Sequence, residues 1–237
     1  MSNRLKNCLT YGLLLLTIGS LAFSITLYIR FLAPVINERD FYNNNLHTTV
    51  EIVASNDSIG VAGTATCIDK NLFITNSHVV IQTVGDTSMP YPNCKYRFTD
   101  ETEYSDFKVL KFDLKRDIAL LEIISNKSQE VTIDSSNKVS IGDTVYTFGN
   151  AHNQGLTMSK GIIATRNVSI NETLYYCSDN RVSNGCSGGG LYLNNGKFIG
   201  MITQITENGD LTYSLQAKEI LNFIGGEIWK IKYLNYP

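Results

Sequence analysis

Short runs rich in β-branched and aromatic residues follow one another along most of this chain, and Gly, Asn or Asp residues separate many of them. Such spacing is typical of antiparallel strands that are joined by turns. After residue 45, only residues 217–224 have a helical pattern. The sequence therefore predicts an all-β domain with a short C-terminal helix. The predicted strands are 48–54, 60–68, 72–75, 108–114, 118–124, 144–149, 159–165, 174–176, 190–193, 198–205 and 211–215.

The N-terminal segment has a different character, because no charged side chain occurs in residues 8–29. A helix of this length, at ~1.5 Å per residue, can cross a ~30 Å hydrocarbon core. A cleavable signal peptide is the alternative, but its apolar stretch is normally about 7–15 residues long and ends in a small-residue cleavage site, which is not evident here. We therefore predict an uncleaved membrane anchor in residues 1–33, with a single transmembrane helix at about 8–29. If the segment is cleaved, the protein is secreted.

Basic residues flank this segment almost equally, with Arg4 and Lys6 before it and Arg30 and Arg39 after it. Because the excess of Lys and Arg marks the cytoplasmic side of a membrane, the orientation signal is nearly balanced. We predict a cytoplasmic N-terminus and place the rest of the chain on the non-cytoplasmic side.

The remaining chain divides into a short connection and one domain. Residues 34–45 are polar and Asn-rich, which predicts a tether. Residues 46–237 have the length of one globular unit rather than of two independent domains.

Composition excludes several classes of function. The net charge is −2 and no basic run occurs, which argues against a nucleic acid partner. The five cysteines contain no C-x-x-C pair, so we expect no zinc site, and we expect no other metal or cofactor. The spacing of Cys67, Cys94, Cys177 and Cys186 leaves open whether they form disulfides.

The segment 184–191 reads NGCSGGGL and places Ser187 between glycines. A Ser/Gly run is often a flexible linker, but an apolar run and a second strand-like stretch follow this one at once. A tight glycine turn can instead project a serine hydroxyl and aim backbone N–H groups at a developing oxyanion. The segment therefore predicts a serine nucleophile, with the N–H groups of Gly185 and Ser187 as the oxyanion hole.

Two upstream segments supply the partners that such a serine needs. His78 lies in TNSHVV and Asp117 lies in RDIALL. These segments, together with GDTVYTFGN at 142–150, resemble motifs of the trypsin-like serine protease superfamily, most closely its HtrA-like and glutamyl-endopeptidase-like branches. The order His78, Asp117, Ser187 is also the order of that superfamily.

The resemblance implies a chymotrypsin fold, which consists of two six-stranded antiparallel β-barrels, here expected at about 46–134 and 135–237. It implies a serine endopeptidase that acts on polypeptide substrates through an acyl-enzyme intermediate. His78 would be the general base, and Asp117 would orient it. The chain ends too soon after the C-terminal helix for the PDZ domain that many HtrA-like proteases carry, so we expect none.

The resemblance also implies residues for substrate binding. The position six before the nucleophile lies at the base of the primary pocket in trypsin-like enzymes, and Arg181 stands there. A guanidinium at this place would favour an acidic P1 side chain. In the alternative, Ile202 and Leu211 form a shallow apolar pocket for small aliphatic residues. Thr203 is implied to support the triad aspartate and to begin the edge that pairs with the substrate backbone.

Two further alternatives concern the chemistry itself. Cys186 could be the nucleophile, but the flanking glycines would then be out of register, and a small buried apolar role is more typical of such a cysteine. The chain could also be a catalytically inactive binding or scaffold protein with a trypsin-like fold.

Overall fold

The computed structural model describes residues 11, 15–25, 37–134, 136, 138–206 and 208–234. The chain divides into two compact units, Met1–Asn37 and Glu38–Pro237. Residues 15–25 of the first unit are helical. Among the described residues, no helix combines the length and the hydropathy that a membrane-spanning helix needs. The predicted span 8–29 lies partly outside the described residues.

The first half of the second unit is an antiparallel sheet of seven strands, in the order β7-β6-β1-β2-β3-β9-β8. Its core contains the fully buried side chains of Ile52, Phe73, Phe98 and Leu121. A separate hairpin, β4-β5, follows a short helix at Ser77–Val80. The strands are β1 (Thr49–Ser55), β2 (Gly60–Asp69), β3 (Leu72–Thr75), β4 (Ile81–Val84), β5 (Thr87–Pro90), β6 (Asn93–Arg97), β7 (Ser105–Asp106), β8 (Lys108–Asp113) and β9 (Ile118–Glu122).

This sheet differs from the six-stranded barrel that was expected in the first half, because it has seven strands. The two edge strands, β7 and β8, are separated in the sequence only by Phe107. Phe107 is buried, and its N–H donates to Cys94 O at 3.1 Å. The sheet must therefore curl until its edges meet at one residue. Since no ladder joins β7 to β8 within the described residues, the sheet is barrel-like but open.

The second half is a closed antiparallel barrel of six strands, in the order β10-β11-β12-β15-β14-β13. Val145, Ile163, Leu191 and Ile199 point into its core. The strands are β10 (Thr144–Gly149), β11 (Thr157–Ile170), β12 (Thr173–Ser178), β13 (Gly190–Leu193), β14 (Phe198–Ile205) and β15 (Thr212–Gln216). The closed second barrel therefore has the strand number that the sequence resemblance implied.

The described part of the second unit also contains three α-helices, α1 (Glu38–Asn45), α2 (Ser77–Val80) and α3 (Ala217–Leu234), and a short 3-10 helix at Ala151–Asn153. Helix α1 lies in the segment that we expected to be a tether. It is instead packed on the domain, because Phe41 is only 6% exposed and its ring makes edge contacts with the rings of Tyr146, Phe148 and Tyr192. Burial of an aromatic side chain stabilises this contact by roughly 2 kcal/mol.

Candidate active site

His78 and Asp117 form a hydrogen-bonded pair at the edge of the first sheet. His78 lies in α2, directly after β3, and Asp117 lies in the turn between β8 and β9. His78 Nδ1 is 2.8 Å from Asp117 Oδ2, and the two side chains are 48% and 25% exposed. The imidazole therefore has one nitrogen held by a carboxylate, which leaves Nε2 available to a reacting group.

The second oxygen of the Asp117 carboxylate is also held. Oδ1 accepts hydrogen bonds from the His78 backbone N–H at 3.0 Å and from the Ser77 hydroxyl at 2.8 Å. The Asp117 backbone has a left-handed φ of 52°, and Asn76 Nδ2 donates to its carbonyl at 2.8 Å. Ser77 and His78 thus fix the plane of the carboxylate, and Asn76 holds the backbone of Asp117.

Ser77 takes the place that the resemblance had given to Thr203. The Thr203 hydroxyl donates to Met201 O at 3.2 Å and makes no bond to Asp117 within the described residues. The implied support of the aspartate by Thr203 is therefore corrected. Sequence analysis missed Ser77, although a hydroxyl next to the histidine, at the start of a helix, was a usable signal.

Ser187 lies in a turn that requires glycine at two positions. Gly185 and Gly188 have φ values of 97° and 88°, which disfavour other residues. A Cβ at Gly185 would also collide with Asn150 O, and one at Gly188 would collide with Thr64 O and Thr75 Oγ1. Both positions therefore need glycine for backbone conformation and for close packing.

Threonines of β2 bind this turn to the first sheet. Thr64 donates from its N–H to Ser187 O at 2.9 Å and from its hydroxyl to Gly185 O at 2.6 Å. The Thr66 hydroxyl donates to Gly188 O at 3.0 Å. Both threonines are fully buried. Sequence analysis missed them, although two hydroxyls on one face of a buried strand indicate polar partners elsewhere.

The same strand brings Ser187 close to the helix that carries His78. A Cβ at Gly63 would lie 2.6 Å from Val79 Cγ1 and 3.3 Å from Ser187 O, so Val79 and Ser187 both occupy the space that a side chain at Gly63 would fill. The partly exposed Ser187 side chain makes no hydrogen bond to His78 within the described residues. The two segments are thus adjacent, with the serine and imidazole not yet joined by a hydrogen bond.

Within the turn 185–189, the N–H groups of Gly185 and Ser187 lack an acceptor in the part of the chain that the structure describes. The peptide bond between Asn184 and Gly185 sets the orientation of the Gly185 N–H. Asn184 O accepts from His152 N at 2.8 Å, and in a trans peptide the N–H points opposite to the C=O. The Gly185 N–H therefore points away from His152.

Ser187 borders a cleft of about 260 Å³. Ile202 and Thr203 line it, together with Val182, Ser183, Asn184, Gln204 and Ile205. A second cleft, of about 300 Å³, contains Asn184, Gly185 and His152.

Two of the residues expected to bind substrate lie elsewhere. Arg181 is exposed and does not line the cleft; its N–H donates to Ser159 Oγ at 3.0 Å. Leu211 is paired with Thr206 in the turn before β15. The chain after residue 178 takes a path that local spacing cannot predict.

Cys186 is buried, and burial raises the pKa of its thiol. Its side chain packs against Gly149 rather than toward the cleft. The four cysteines Cys67, Cys94, Cys177 and Cys186 are free thiols. Among the described residues, no cluster of His, Cys, Asp and Glu side chains could hold a metal ion.

The family model of the trypsin-like peptidase domain matches residues 63–201, a segment that includes His78, Asp117 and Ser187. The chain belongs to the trypsin-like peptidase family. The family was predicted from the three motifs and is confirmed.

Curated relatives of this family member include bacterial periplasmic proteases. The periplasmic pH-dependent serine endoprotease DegQ of Escherichia coli is 32% identical over 145 residues, which cover 59% of this chain and 30% of the relative. A probable periplasmic serine endoprotease, DegP-like, of Rickettsia conorii is 32% identical over 152 residues, which cover 60% of this chain and 28% of the relative. The match thus spans less than a third of the length of each relative.

Solved structures share the fold at low sequence identity. The active form of the Rv3671c protease from M. tuberculosis superposes with a TM-score of 0.70 at 17% identity, covering 81% of this chain and 86% of that one. The serine endoprotease from Yersinia pestis gives a TM-score of 0.68 at 21% identity, covering 79% of this chain and 65% of that one. The fold is therefore mostly β and chymotrypsin-like, with a C-terminal helix.

Proposed function

We propose that this protein is a serine endopeptidase that hydrolyses peptide bonds through Ser187, His78 and Asp117. The main observation in its favour is the hydrogen-bonded His78–Asp117 pair beside a glycine turn that is held against β2. The similarity to DegQ and DegP-like proteases supports polypeptides as the substrates.

The proposed reaction follows from the roles of these groups. His78 Nε2 removes the proton of the Ser187 hydroxyl while the oxygen attacks the peptide carbonyl. The N–H groups of Gly185 and Ser187 stabilise the negative charge of the tetrahedral oxygen. His78 then donates its proton to the leaving amine, and an acyl-enzyme remains. Water, activated by His78, hydrolyses this ester in the second half of the reaction.

A fluorophosphonate probe tests the proposal, because it forms a covalent bond only with an activated serine. We expect labelling of the full chain and no labelling of the Ser187→Ala variant. The absence of labelling in the unmodified protein would instead favour the inactive binding or scaffold function.

We further propose that residues 8–29 anchor the protein in a membrane and that the protease domain lies on its non-cytoplasmic side. The absence of charge in this segment supports the anchor. The periplasmic relatives support the location of the domain.

The anchor predicts a fractionation result. The full chain should remain in the membrane pellet after an alkaline carbonate wash, and deletion of the residues before Pro34 should release an active protein into the supernatant. This deletion retains α1, which is packed on the domain. A mature N-terminus near Ala33 would show that the segment is a cleaved signal peptide and would contradict the anchor.

For specificity, we propose a shallow apolar P1 pocket rather than an arginine site. Val182, Ile202 and Ile205 line the cleft beside Ser187, whereas Arg181 does not. In a peptide-library assay we expect a P1 preference for Val, Ala or Leu, and the same preference in the Arg181→Ala and Arg181→Glu variants. A preference for Glu at P1 that disappears in Arg181→Ala would restore the arginine proposal.

A further inference from the structure

The loop 150–156, between β10 and β11, is held at both ends by other parts of the domain. At its start, Asn150 N donates to Thr64 Oγ1 at 2.9 Å. At its end, Leu156 N donates to Thr99 Oγ1 at 2.9 Å, and Leu156 O accepts from the Tyr42 hydroxyl at 2.9 Å. Asn150 Oδ1 also accepts from Gly155 N at 3.0 Å, which joins the two ends of the loop.

The middle of this loop has an uncommon backbone conformation. His152 and Asn153 have φ values of 54° and 57°, in the left-handed region. A histidine in this region is uncommon, and such strain persists only where surrounding contacts maintain it. Here it aims the His152 N–H at Asn184 O.

The loop therefore contacts the 184–185 peptide from two sides. His152 N donates to Asn184 O at 2.8 Å, and Asn150 O lies directly over the Cα of Gly185, where no side chain would fit. If this peptide rotated by half a turn, the Gly185 N–H would face the His152 N–H, and two donors would oppose each other. The hydrogen bond thus selects the orientation in which the Gly185 N–H is free to bind an oxyanion.

Tyr42 connects this arrangement to the N-terminal helix. It lies in α1, 114 positions before Leu156 in the sequence. Its helix is held on the barrel by the buried ring of Phe41 and by an ion pair between Glu38 and Lys160 at 2.7 Å. The Tyr42 hydroxyl, which lies outside the loop, is therefore held in place to donate to the carbonyl of Leu156.

We propose that Tyr42 is a positioning residue for the oxyanion hole and that it acts through loop 150–156 and the His152 N–H. The inference rests on the proposed function, because an oxyanion hole matters only to an acyl-transfer enzyme. The helix before the first strand is then part of the machinery that orients the Gly185 N–H, although no residue of α1 lines the cleft beside Ser187.

The test is the pre-steady-state burst of the full chain with p-nitrophenyl acetate, a small ester that reports acylation without help from the specificity cleft. The Tyr42→Phe variant loses only one hydroxyl, and we expect acylation about fivefold slower. The pH at which acylation is half-maximal should not change, because the His78–Asp117 pair is untouched.

Tyr96→Phe is the matched control. The Tyr96 hydroxyl donates to a backbone carbonyl, Ile124 O, at 3.1 Å, so its loss has a similar effect on folding stability. Tyr96 belongs to β6 of the first sheet, and among the described residues no hydrogen bond or ring contact joins it to loop 150–156. We expect the acylation rate of this variant to stay within about twofold of the unmodified protein.

A second pair of variants tests the route through His152. Asn tolerates a left-handed backbone, whereas a β-branched residue does not. His152→Asn should acylate at nearly the original rate, and His152→Val should lose about tenfold or more. Equal losses in both would show that the imidazole matters rather than the backbone N–H.

The outcomes separate the two proposals. No burst in the unmodified protein would contradict the proposed function and this inference together. A burst that is unchanged in Tyr42→Phe, or equally slowed in Tyr96→Phe, would overturn the positioning role and leave the function intact.

Discussion

Replacement of Ser187 by Ala is expected to lower kcat for peptide hydrolysis by roughly 10⁶-fold, the size of loss seen when a triad serine is removed. The variant retains the two oxyanion donors and the cleft, so residual hydrolysis should reflect only binding and charge stabilisation. Hydrolysis of casein or of a quenched fluorescent peptide measures the effect. The glycines on either side remain, and the turn should keep its conformation.

Cys186→Ala is the control for this variant, because it alters the adjacent position in the same turn. Cys186 is 3% exposed, and burial raises the pKa of its thiol, so at neutral pH the group is protonated and inaccessible. We expect much of the activity to remain in this variant. A protein that is silenced by thiol alkylation yet active as Ser187→Ala would contradict the serine mechanism.

Replacement of Asp117 by Asn should lower kcat by about 10⁴-fold without unfolding the domain. The geometry explains the size of the effect. The backbone N–H of His78 can only donate, so it must face the amide oxygen of the new side chain. The amide NH₂ is then turned toward His78 Nδ1, which must accept a hydrogen bond and carry its proton on Nε2 instead. In this tautomer the imidazole cannot accept the proton of Ser187.

Ser77→Ala is a graded control for the aspartate variant. It removes one hydrogen bond to Oδ1 and leaves the charge and the His78 contact in place, so we expect a loss of about tenfold or less.

The unmodified protein should show kcat/KM rising with pH, because only neutral imidazole can accept a proton. A flat profile between about pH 5 and 9 would contradict histidine as the base.

The strands that sequence analysis missed share a physical property. All four are short and have mostly exposed or half-exposed side chains: β4 and β5 form the separate hairpin, β7 is an edge strand, and β6 lies next to it. Their residues therefore lack the apolar alternation that marks a half-buried strand. The buried strands β1, β2, β3 and β9 were all predicted, because burial on the core imposes an apolar pattern.

Sequence analysis missed helix α1, in the segment that was expected to be a tether, for a related reason. Residues 38–45 are mostly polar, and only Phe41 among its apolar side chains is buried. One aromatic side chain in a polar segment is a weak signal in the sequence. In the folded domain it is a strong contact, because three rings of the second barrel surround it.

The sequence by itself determined the family and the β character, and it supplied the three residues that we propose as reactive. Each of these depends on a contiguous segment whose chemistry is local: glycines at positive φ around Ser187, and polar residues at the ends of apolar strands for His78 and Asp117. The tertiary structure alone decided which groups support them. Ser77 rather than Thr203 reaches Asp117, the β2 threonines hold the turn around Ser187, and Arg181 lies outside the cleft. These contacts join residues at least 40 positions apart or depend on the path of a loop. They are determined by sheet register and loop closure, which no local pattern encodes.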